Sequence, residues 1–364
     1  MKTIVAFGEI MGRISMPGFL RFSQAMPGHV DVEFAGAEAN VATSIALLGG
    51  PTAFVTALPA NEIADACVAS LRRHGIDTRH ILRTQHGRLG LYFLEKGANQ
   101  RAGNVVYDRE GSAIATTPAT AYDWDTILGD AGWLHLTGIT PAVSAVAAEA
   151  NLAAARAARR LGLPVSCDLN FRGKLWRWNP GLAPRELAAV EMSRLLPEAT
   201  HLVAGREDAA EMLGIRPRVA TRTDDGPDPD AILDVARQLH ARFPRLETIA
   251  ITLRESRSAS HHRWGGFLYE TAADRFHLAP SAPDGGLAPY EITHIVDRVG
   301  GGDAFSAGLI FALNTPELKD PNTALRFATA ASCLAHSIEG DANLSSRAEI
   351  EALMGGSASG RVKR

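Results

Sequence analysis

Cysteine is scarce in this chain of 364 residues. The three cysteines, Cys67, Cys167 and Cys333, are widely spaced and odd in number. They therefore match neither a disulfide framework nor the ligand spacing of a zinc site. This usage suits the reducing cytoplasm, and the chain enters a strand-like run at Thr3 with no signal peptide before it. We expect a cytoplasmic protein.

Long apolar runs and an excess of positive charge are also missing. No stretch approaches the roughly 20 apolar residues of a membrane-spanning helix. The formal net charge of −3 argues against nucleic acid or a membrane as the main partner. Neither a Walker P-loop nor a G-x-G-x-x-G pattern follows the first strand, which disfavours P-loop nucleotidases and dinucleotide oxidoreductases.

What the chain does have is a glycine motif near its carboxyl end. Residues 297–303 read DRVGGGD, after a predicted strand at 292–296 and before an apolar helical run. Gly300, Gly301 and Gly302 allow successive backbone N–H groups to converge on one anion, and the helix dipole adds to that site. Asp303 would then act as a general base, and the motif predicts phosphoryl transfer to a hydroxyl. A tight turn with an acidic helix start would use the same residues.

A second glycine-containing stretch, FAGAEANVA at residues 34–42, begins a predicted helix. Gly36 permits close approach of a ligand, and the Asn40 amide can both donate and accept hydrogen bonds. Taken alone, this stretch is better explained as a helix start with an alanine-rich packing face.

Together the two stretches resemble the two signatures of the PfkB, or ribokinase-like, sugar kinases. Those signatures are G-G-x-x-x-N near the amino terminus and D-T-x-G-A-G-D near the carboxyl terminus. In this sequence Ala35 replaces the first glycine, Arg298 the threonine and Gly301 the alanine. The resemblance spans residues 1–355 and implies an α/β fold, a ribokinase-like three-layer α/β/α sandwich. It also implies a mostly parallel central sheet and a small β-sheet lid.

The order of apolar runs agrees with that fold, because strand-like runs alternate with Ala/Leu-rich helical ones. Two segments, about 12–35 and 86–114, interrupt the alternation, and the resemblance implies that they form the lid over the sugar site. We expect one α/β kinase domain over residues 1–355 and a disordered tail over 356–364. Edge strands of a flat lid can pair with a second subunit as a homo-oligomer, although the sequence leaves the oligomeric state open.

Two arginines indicate an acidic substrate, because a planar guanidinium matches a carboxylate. Arg109 lies in YDREGSA at 107–113, and Arg172 lies in DLNFRGKLW at 168–176. Both stretches resemble those of 2-keto-3-deoxygluconate kinases within the family. The resemblance implies that Arg109 and Arg172 hold the substrate carboxylate. The other implied substrate contacts are Tyr92, Tyr107, Asn170, Gly36 and Asn40.

The resemblance also implies ATP as phosphoryl donor and Mg²⁺ bridging its phosphates. The Asn-x-x-Glu element of many family members appears here as GRED at 205–208, which leaves Glu207 and Asp208 as candidate metal residues acting through water. The usual T-L-G-x-x-G appears as TLRESR at 252–257, without either glycine. The predicted ATP contacts are Thr252, Arg254, Gly300 and Gly302. Arg254 either reaches a phosphate or lies where close backbone approach is not needed.

The predicted reaction is ATP-dependent phosphorylation of the terminal hydroxyl of 2-keto-3-deoxygluconate, giving 2-keto-3-deoxy-6-phosphogluconate. One alternative is a family member acting on a neutral sugar such as fructose or ribose, for which Arg109 and Arg172 would have no reason to converge. Another is a catalytically silent sugar-acid-binding protein, in view of the lost asparagine and glycines. Retention of Asp303 argues against the binding protein, and the sequence does not separate the gluconate from its galactose-derived epimer.

Overall fold

Strands and helices alternate along the computed structural model, which describes residues 1–219 and 226–357. Its strands are β1 (Thr3–Phe7), β2 (Met11–Ser15), β3 (Asp31–Ala35), β4 (Thr52–Val55), β5 (Ala57–Pro59), β6 (Leu82–Thr84), β7 (Gly90–Glu95), β8 (Asn104–Asp108), β9 (Ala131–Thr137), β10 (Val165–Asp168), β11 (His201–Gly205), β12 (Thr248–Ser258), β13 (His261–Glu270), β14 (Arg275–Ala279) and β15 (Tyr290–Ile292). Its helices are α1 (Phe22–Ala25), α2 (Ala37–Leu47), α3 (Glu62–Arg73), α4 (Ala113–Thr116), α5 (Trp124–Leu128), α6 (Ile139–Val143), α7 (Ala145–Arg160), α8 (Pro184–Leu195), α9 (Asp208–Leu213), α10 (Pro229–Arg242), α11 (Gly301–Leu313), α12 (Pro321–Ala335) and α13 (Arg347–Met354).

The central sheet has the strand order β14-β13-β12-β11-β10-β9-β1-β4, with β15 paired to β13. From β4 to β12 every neighbouring pair is parallel, while β13, β14 and β15 form an antiparallel edge. Parallel neighbours require crossover connections, and these place helices on the faces of the sheet. The predicted mostly parallel central sheet is confirmed.

Helices cover both faces, as alternate residues of β1 show. Val5 and Phe7 belong to a core cluster that includes α7, α8 and α10, whereas Ile4 packs in a second cluster with α2, α11 and α12. Successive side chains of a strand point to opposite faces, so these two clusters are the two helical layers. The three-layer arrangement predicted from the sequence is confirmed.

The small separate sheet is also present, with strand order β3-β2-β7-β8. β2 pairs antiparallel with β3 and parallel with β7, and β7 pairs antiparallel with β8. Its strands lie at the two segments predicted to form a lid, which also include the single helical turn α1. Val32 on β3 and Val106 on β8 are exposed. Pairing of these edges with a second subunit remains a prediction.

The predicted strand at 292–296 is wrong beyond its first residue, since β15 ends at Ile292. The segment that follows is held by other bonds: the Val296 N–H donates to the His336 carbonyl, and Asp297 Oδ1 accepts the N–H groups of Arg298 and Val299. The single domain over 1–355 remains a prediction, and residues 358–364 of the predicted tail lie outside the described residues. Among the described residues, no helix has both the length and the apolarity of a membrane span.

Two glycines of α11 allow a matched test of helix packing. A Cβ at Gly308 would lie 2.9 Å from Ala328 Cα on α12, whereas a Cβ at Gly302 would meet no atom within 4 Å. We expect Gly308→Ala to destabilise the fold by about 1–3 kcal/mol through overpacking, and Gly302→Ala to cause no loss. Thermal unfolding midpoints of the two variants measure this difference. Equal midpoints would contradict the close approach of α11 and α12.

Candidate active site

A cavity of about 420 Å³ lies between the lid sheet and the carboxyl ends of the central strands. In open α/β sheets ligands bind at this edge. The structure brings every residue of the predicted site to its wall: Gly36, Asn40, Tyr92, Tyr107, Arg109, Asn170, Arg172, Glu207, Asp208, Thr252, Arg254, Gly300, Gly301, Gly302 and Asp303. Their individual roles remain predictions.

Asp303 lies in the first turn of α11 and is bound by Asn40 from α2. The Asn40 Nδ2 donates to Asp303 Oδ2 at 2.7 Å, and the Gly36 N–H donates to Asn40 Oδ1 at 3.3 Å. Burial raises the pKa of Asp303 to about 7; the Asn40 hydrogen bond lowers it, and the nearby Asp341 raises it. A carboxyl group that ionises near neutral pH suits a general base.

The glycine turn beside Asp303 depends on Gly300. Gly300 has φ 80°, in the left-handed region, and a Cβ there would lie 1.8 Å from the Asp341 carbonyl oxygen. No other residue fits this position. The first N–H groups of α11 have no acceptor within the helix and belong to residues that line the cavity, an arrangement that suits the predicted anion site.

A buried charged network lies behind the glycine turn. Arg13 of β2 donates to Asp297 and to Asp341, and the Tyr92 hydroxyl donates to Asp341 Oδ2 at 2.5 Å. All four side chains are buried. The proton of the Tyr92 hydroxyl is thus already donated to Asp341, which leaves the ring and the acceptor side of the hydroxyl for the predicted sugar contact.

The two arginines of the predicted carboxylate site differ in their partners. Arg109 is buried and donates through Nε and Nη2 to Glu9, with Nε 2.8 Å from Oε2. Arg172 is exposed in the cavity; its Nη1 donates to the Phe171 carbonyl at 3.1 Å, and no acid of the described residues lies within ion-pair distance. Arg172 is therefore the guanidinium with its charge available to an anion.

Three acids lie opposite these arginines. Burial raises the pKa of Asp168 well above its usual range, and the charges of Asp208 and Asp303 raise it further. Asp208 Oδ2 accepts the Gly205 N–H at 2.7 Å, and Glu207 is exposed beside Arg206. The described residues contain no group of three metal-binding side chains. Because Mg²⁺ is usually held by one or two carboxylates with water and phosphates, Glu207 and Asp208 fit the predicted role through water.

The altered nucleotide stretch is part of a regular strand. Thr252 and Arg254 lie within β12, and Arg254 pairs with Trp264 across the antiparallel ladder. An extended backbone accepts any side chain, which explains why the glycine expected at position 254 is dispensable here.

Several cavity residues have no role in the sequence-based prediction: Asp168, Trp264, Arg298, His336 and Asp341. Asp168 and Arg298 lie within the motifs DLNFRGKLW and DRVGGGD, next to predicted site residues. This position in the sequence could have identified both as cavity residues. Asp341 comes from a segment with no recognisable motif, whereas Glu9, the partner of Arg109, lies in the opening segment GEIMGR, which resembles the start of the 2-keto-3-deoxygluconate kinases.

Comparison with known proteins agrees with this geometry. The sequence profile described as "pfkB family carbohydrate kinase" matches residues 1–256. A solved structure of 2-dehydro-3-deoxygluconokinase from Thermotoga maritima superposes with a TM-score of 0.85 at 38% identity, covering 98% of this chain and 100% of that one. The chain belongs to the pfkB family of carbohydrate kinases.

Two curated relatives of this pfkB kinase are also similar along most of their length. The 2-dehydro-3-deoxygalactonokinase of Haloferax volcanii is 29% identical over 357 residues, 98% of both chains. The 2-dehydro-3-deoxygluconokinase of Bacillus subtilis is 25% identical over 277 residues, 76% of this chain and 72% of that protein. The protein is therefore a phosphotransferase with an alcohol group as acceptor. The profile match ends at residue 256, before the glycine turn. For the rest of the chain, the family assignment is supported by the relatives that match along most of their length and by the geometry of the cavity.

The Asn40–Asp303 hydrogen bond allows a prediction about pH. Loss of this bond in Asn40→Ala raises the pKa of Asp303, because the bond favours the ionised form. We expect the acidic limb of kcat/KM, near pH 7 in the unmodified kinase, to move up by about one pH unit, since hydrogen bonds to charged groups contribute about 1.5–3 kcal/mol. Thr43→Ala on the same helix removes a hydroxyl that donates to the Ala39 carbonyl and should leave the limb in place. An unshifted limb in Asn40→Ala would show that another group titrates.

The raised pKa of Asp303 also predicts a stability effect. The folded protein holds this proton up to about pH 7, whereas the unfolded chain releases it near pH 4. The free energy of unfolding therefore falls as pH rises from about 4 to about 7. Asp303→Asn should remove the part of this fall that comes from the Asp303 carboxyl group. We expect the variant to match the unmodified kinase in thermal unfolding at pH 4.5 and to exceed it at pH 8. An equal difference at both pH values would contradict the burial of an ionisable Asp303.

Proposed function

We propose that this kinase uses ATP to phosphorylate the terminal hydroxyl of 2-keto-3-deoxygluconate or of its galactose-derived epimer. The observation that carries the proposal is that Arg172, with no acid partner among the described residues, lines the same cavity as Asp303. The names of the relatives support an acceptor of this class.

In this proposal the sugar acid, which accepts the phosphoryl group, binds on the lid side of the cavity. Arg172 would bind the carboxylate bidentately, and Arg109 would assist through Nη1, since its other nitrogens donate to Glu9. Tyr107, the ring of Tyr92 and Asn170 would contact the carbon chain. Asn170 has φ 43°, and its N–H donates to Asp168 Oδ1, which fixes its position beside Arg172.

Asp303 would take the proton of the attacking hydroxyl as that oxygen bonds to the γ-phosphorus and the bond to the ADP oxygen breaks. The free N–H groups at the start of α11 would stabilise the charge on the phosphoryl oxygens. Thr252 and Arg254 would contact the nucleotide. Bound Mg²⁺ would neutralise phosphate charge, held through water by Asp208 and Glu207.

One observation favours a neutral acceptor as the second candidate. Glu9 already neutralises Arg109, which leaves one uncompensated guanidinium on the acceptor side instead of two. A kinase of a neutral sugar would use the Glu9–Arg109 pair as a hydrogen-bonding wall. A silent binding protein is less well supported, because it has no use for a carboxyl group with a pKa of about 7.

A coupled ADP-release assay with both 2-keto-3-deoxy acids, fructose and ribose separates these functions. We expect turnover on a keto acid, and a KM for it raised about 10- to 100-fold in Arg172→Gln through loss of a charge-assisted bond. Asp303→Asn should lower kcat by about 10²- to 10⁴-fold, the usual contribution of a general base.

Arg177→Gln is the matched control, because Arg177 is an exposed cation of the same stretch outside the cavity wall. It should leave KM unchanged. Turnover on fructose or ribose alone would refute the sugar-acid acceptor while keeping the kinase.

A further inference from the structure

Two further arginines of the cavity, Arg254 and Arg298, have no role in acceptor recognition. Arg254 lies on β12, and Arg298 lies directly before the glycine turn. Among the described residues neither guanidinium has an acid within ion-pair distance. Their neighbour Arg257, by contrast, is paired with Glu255 outside the cavity.

The two guanidinium groups are close enough to repel each other. The pKa of Arg254 is lowered first by desolvation and then by the charge of Arg298, with a smaller effect of Arg172; Glu207 and Asp208 oppose this. His262 and His336 also face this corner, and burial holds the pKa of each below its usual value. These histidines are therefore neutral and add no positive charge. Both arginines are exposed to solvent in the cavity and have no acid partner in the described part of the chain, so their charges are available to an anion, and an anion bound to both would relieve their repulsion.

Both arginines replace uncharged residues of the pattern that the sequence resembles. A glycine stands at position 254 and a threonine at position 298 in that pattern. The positions are distant in sequence but line the same cavity as the free N–H groups of α11. Two arginines in one cavity with these N–H groups, both unpaired among the described residues, favour a ligand with several negative charges.

We propose that Arg254 and Arg298 form a clamp for the polyphosphate of the nucleotide in the cavity that the glycine turn also lines. The inference rests on the proposed nucleotide site, which already includes Arg254, and adds Arg298 together with a specific role for both residues in holding the polyphosphate. Planar guanidinium forks bind phosphate oxygens in pairs. The clamp thereby supplies fixed positive charge where the Asn-x-x-Glu element has lost its asparagine.

The test is nucleotide binding measured without any sugar. Isothermal titration calorimetry of the full chain with ATP, once with Mg²⁺ and once with excess EDTA, gives the Kd of ATP for the unmodified kinase and for Arg254→Gln and Arg298→Gln. We expect each substitution to raise Kd about 10- to 100-fold in both media, since each removes hydrogen bonds to a charged group. Arg254→Lys and Arg298→Lys should recover part of the affinity, because they retain the charge. Arg257→Gln, on the same strand, should bind as the unmodified kinase does.

Unchanged ATP affinity in both Gln variants would overturn the clamp. A loss seen only with Mg²⁺ would also overturn it, because the arginines would then act on the metal complex and not on phosphate. Titration with 2-keto-3-deoxygluconate alone should give the same Kd in Arg298→Gln as in the unmodified kinase. If that Kd rises while ATP affinity stays, Arg298 belongs to the acceptor site and the clamp is refuted. In the ADP-release assay, turnover on a neutral sugar alone would refute the sugar-acid function without contradicting the proposal that Arg254 and Arg298 bind the polyphosphate.

Discussion

The ion pairs of Arg13 hold together the three parts of the chain from which the active site is built. One buried guanidinium on the lid strand β2 binds Asp297, at the start of the glycine motif, and Asp341, in the loop after α12. Breaking a buried pair by removing one partner typically costs about 3–5 kcal/mol, because a charge is left unpaired in the interior. The lid, the glycine turn and the carboxyl-terminal loop are therefore bound in one arrangement. The contact between Gly300 and the Asp341 backbone fixes the turn in the same place.

This network also affects the protonation of Asp303, the proposed base. Asp341 is close enough to raise the pKa of Asp303, and burial acts in the same direction. Asn40 and Arg172 act in the opposite direction, and the balance lies near pH 7. A fully solvated aspartate would be too weak a base to accept a hydroxyl proton efficiently. An aspartate without Asn40 and Arg172 would stay protonated at neutral pH. The same acid that anchors Arg13 thus contributes to the reactivity of its neighbour.

The sequence predicts the parts of this structure that are local, and it misses those that are not. The family resemblance, with which the alternating apolar runs agree, predicts the layered fold, and the two glycine signatures place Gly36 and Asp303 on one cavity. The pair between Glu9 and Arg109 and the bonds of Arg13 join segments far apart in the chain. Periodicity carries no information about such contacts. For the same reason the family resemblance could place Tyr92 on the cavity wall, while the partner of its hydroxyl could not be predicted.

In the proposed mechanism, positive charge near Asp303 is a condition for its action as a base once both ligands are bound. Each bound anion disfavours ionisation of the base. A unit charge 8 Å away contributes about 2 kcal/mol at an effective dielectric constant of 20, more than a tenfold change in the ionised fraction. A keto acid and a nucleotide polyphosphate together would therefore protonate an unassisted Asp303 at neutral pH. In the proposed complex, Arg172 on the acceptor side and Arg254 with Arg298 on the donor side would offset these charges. The arginines would then not only bind the two substrates but also keep the Asp303 carboxylate ionised when it must accept a proton.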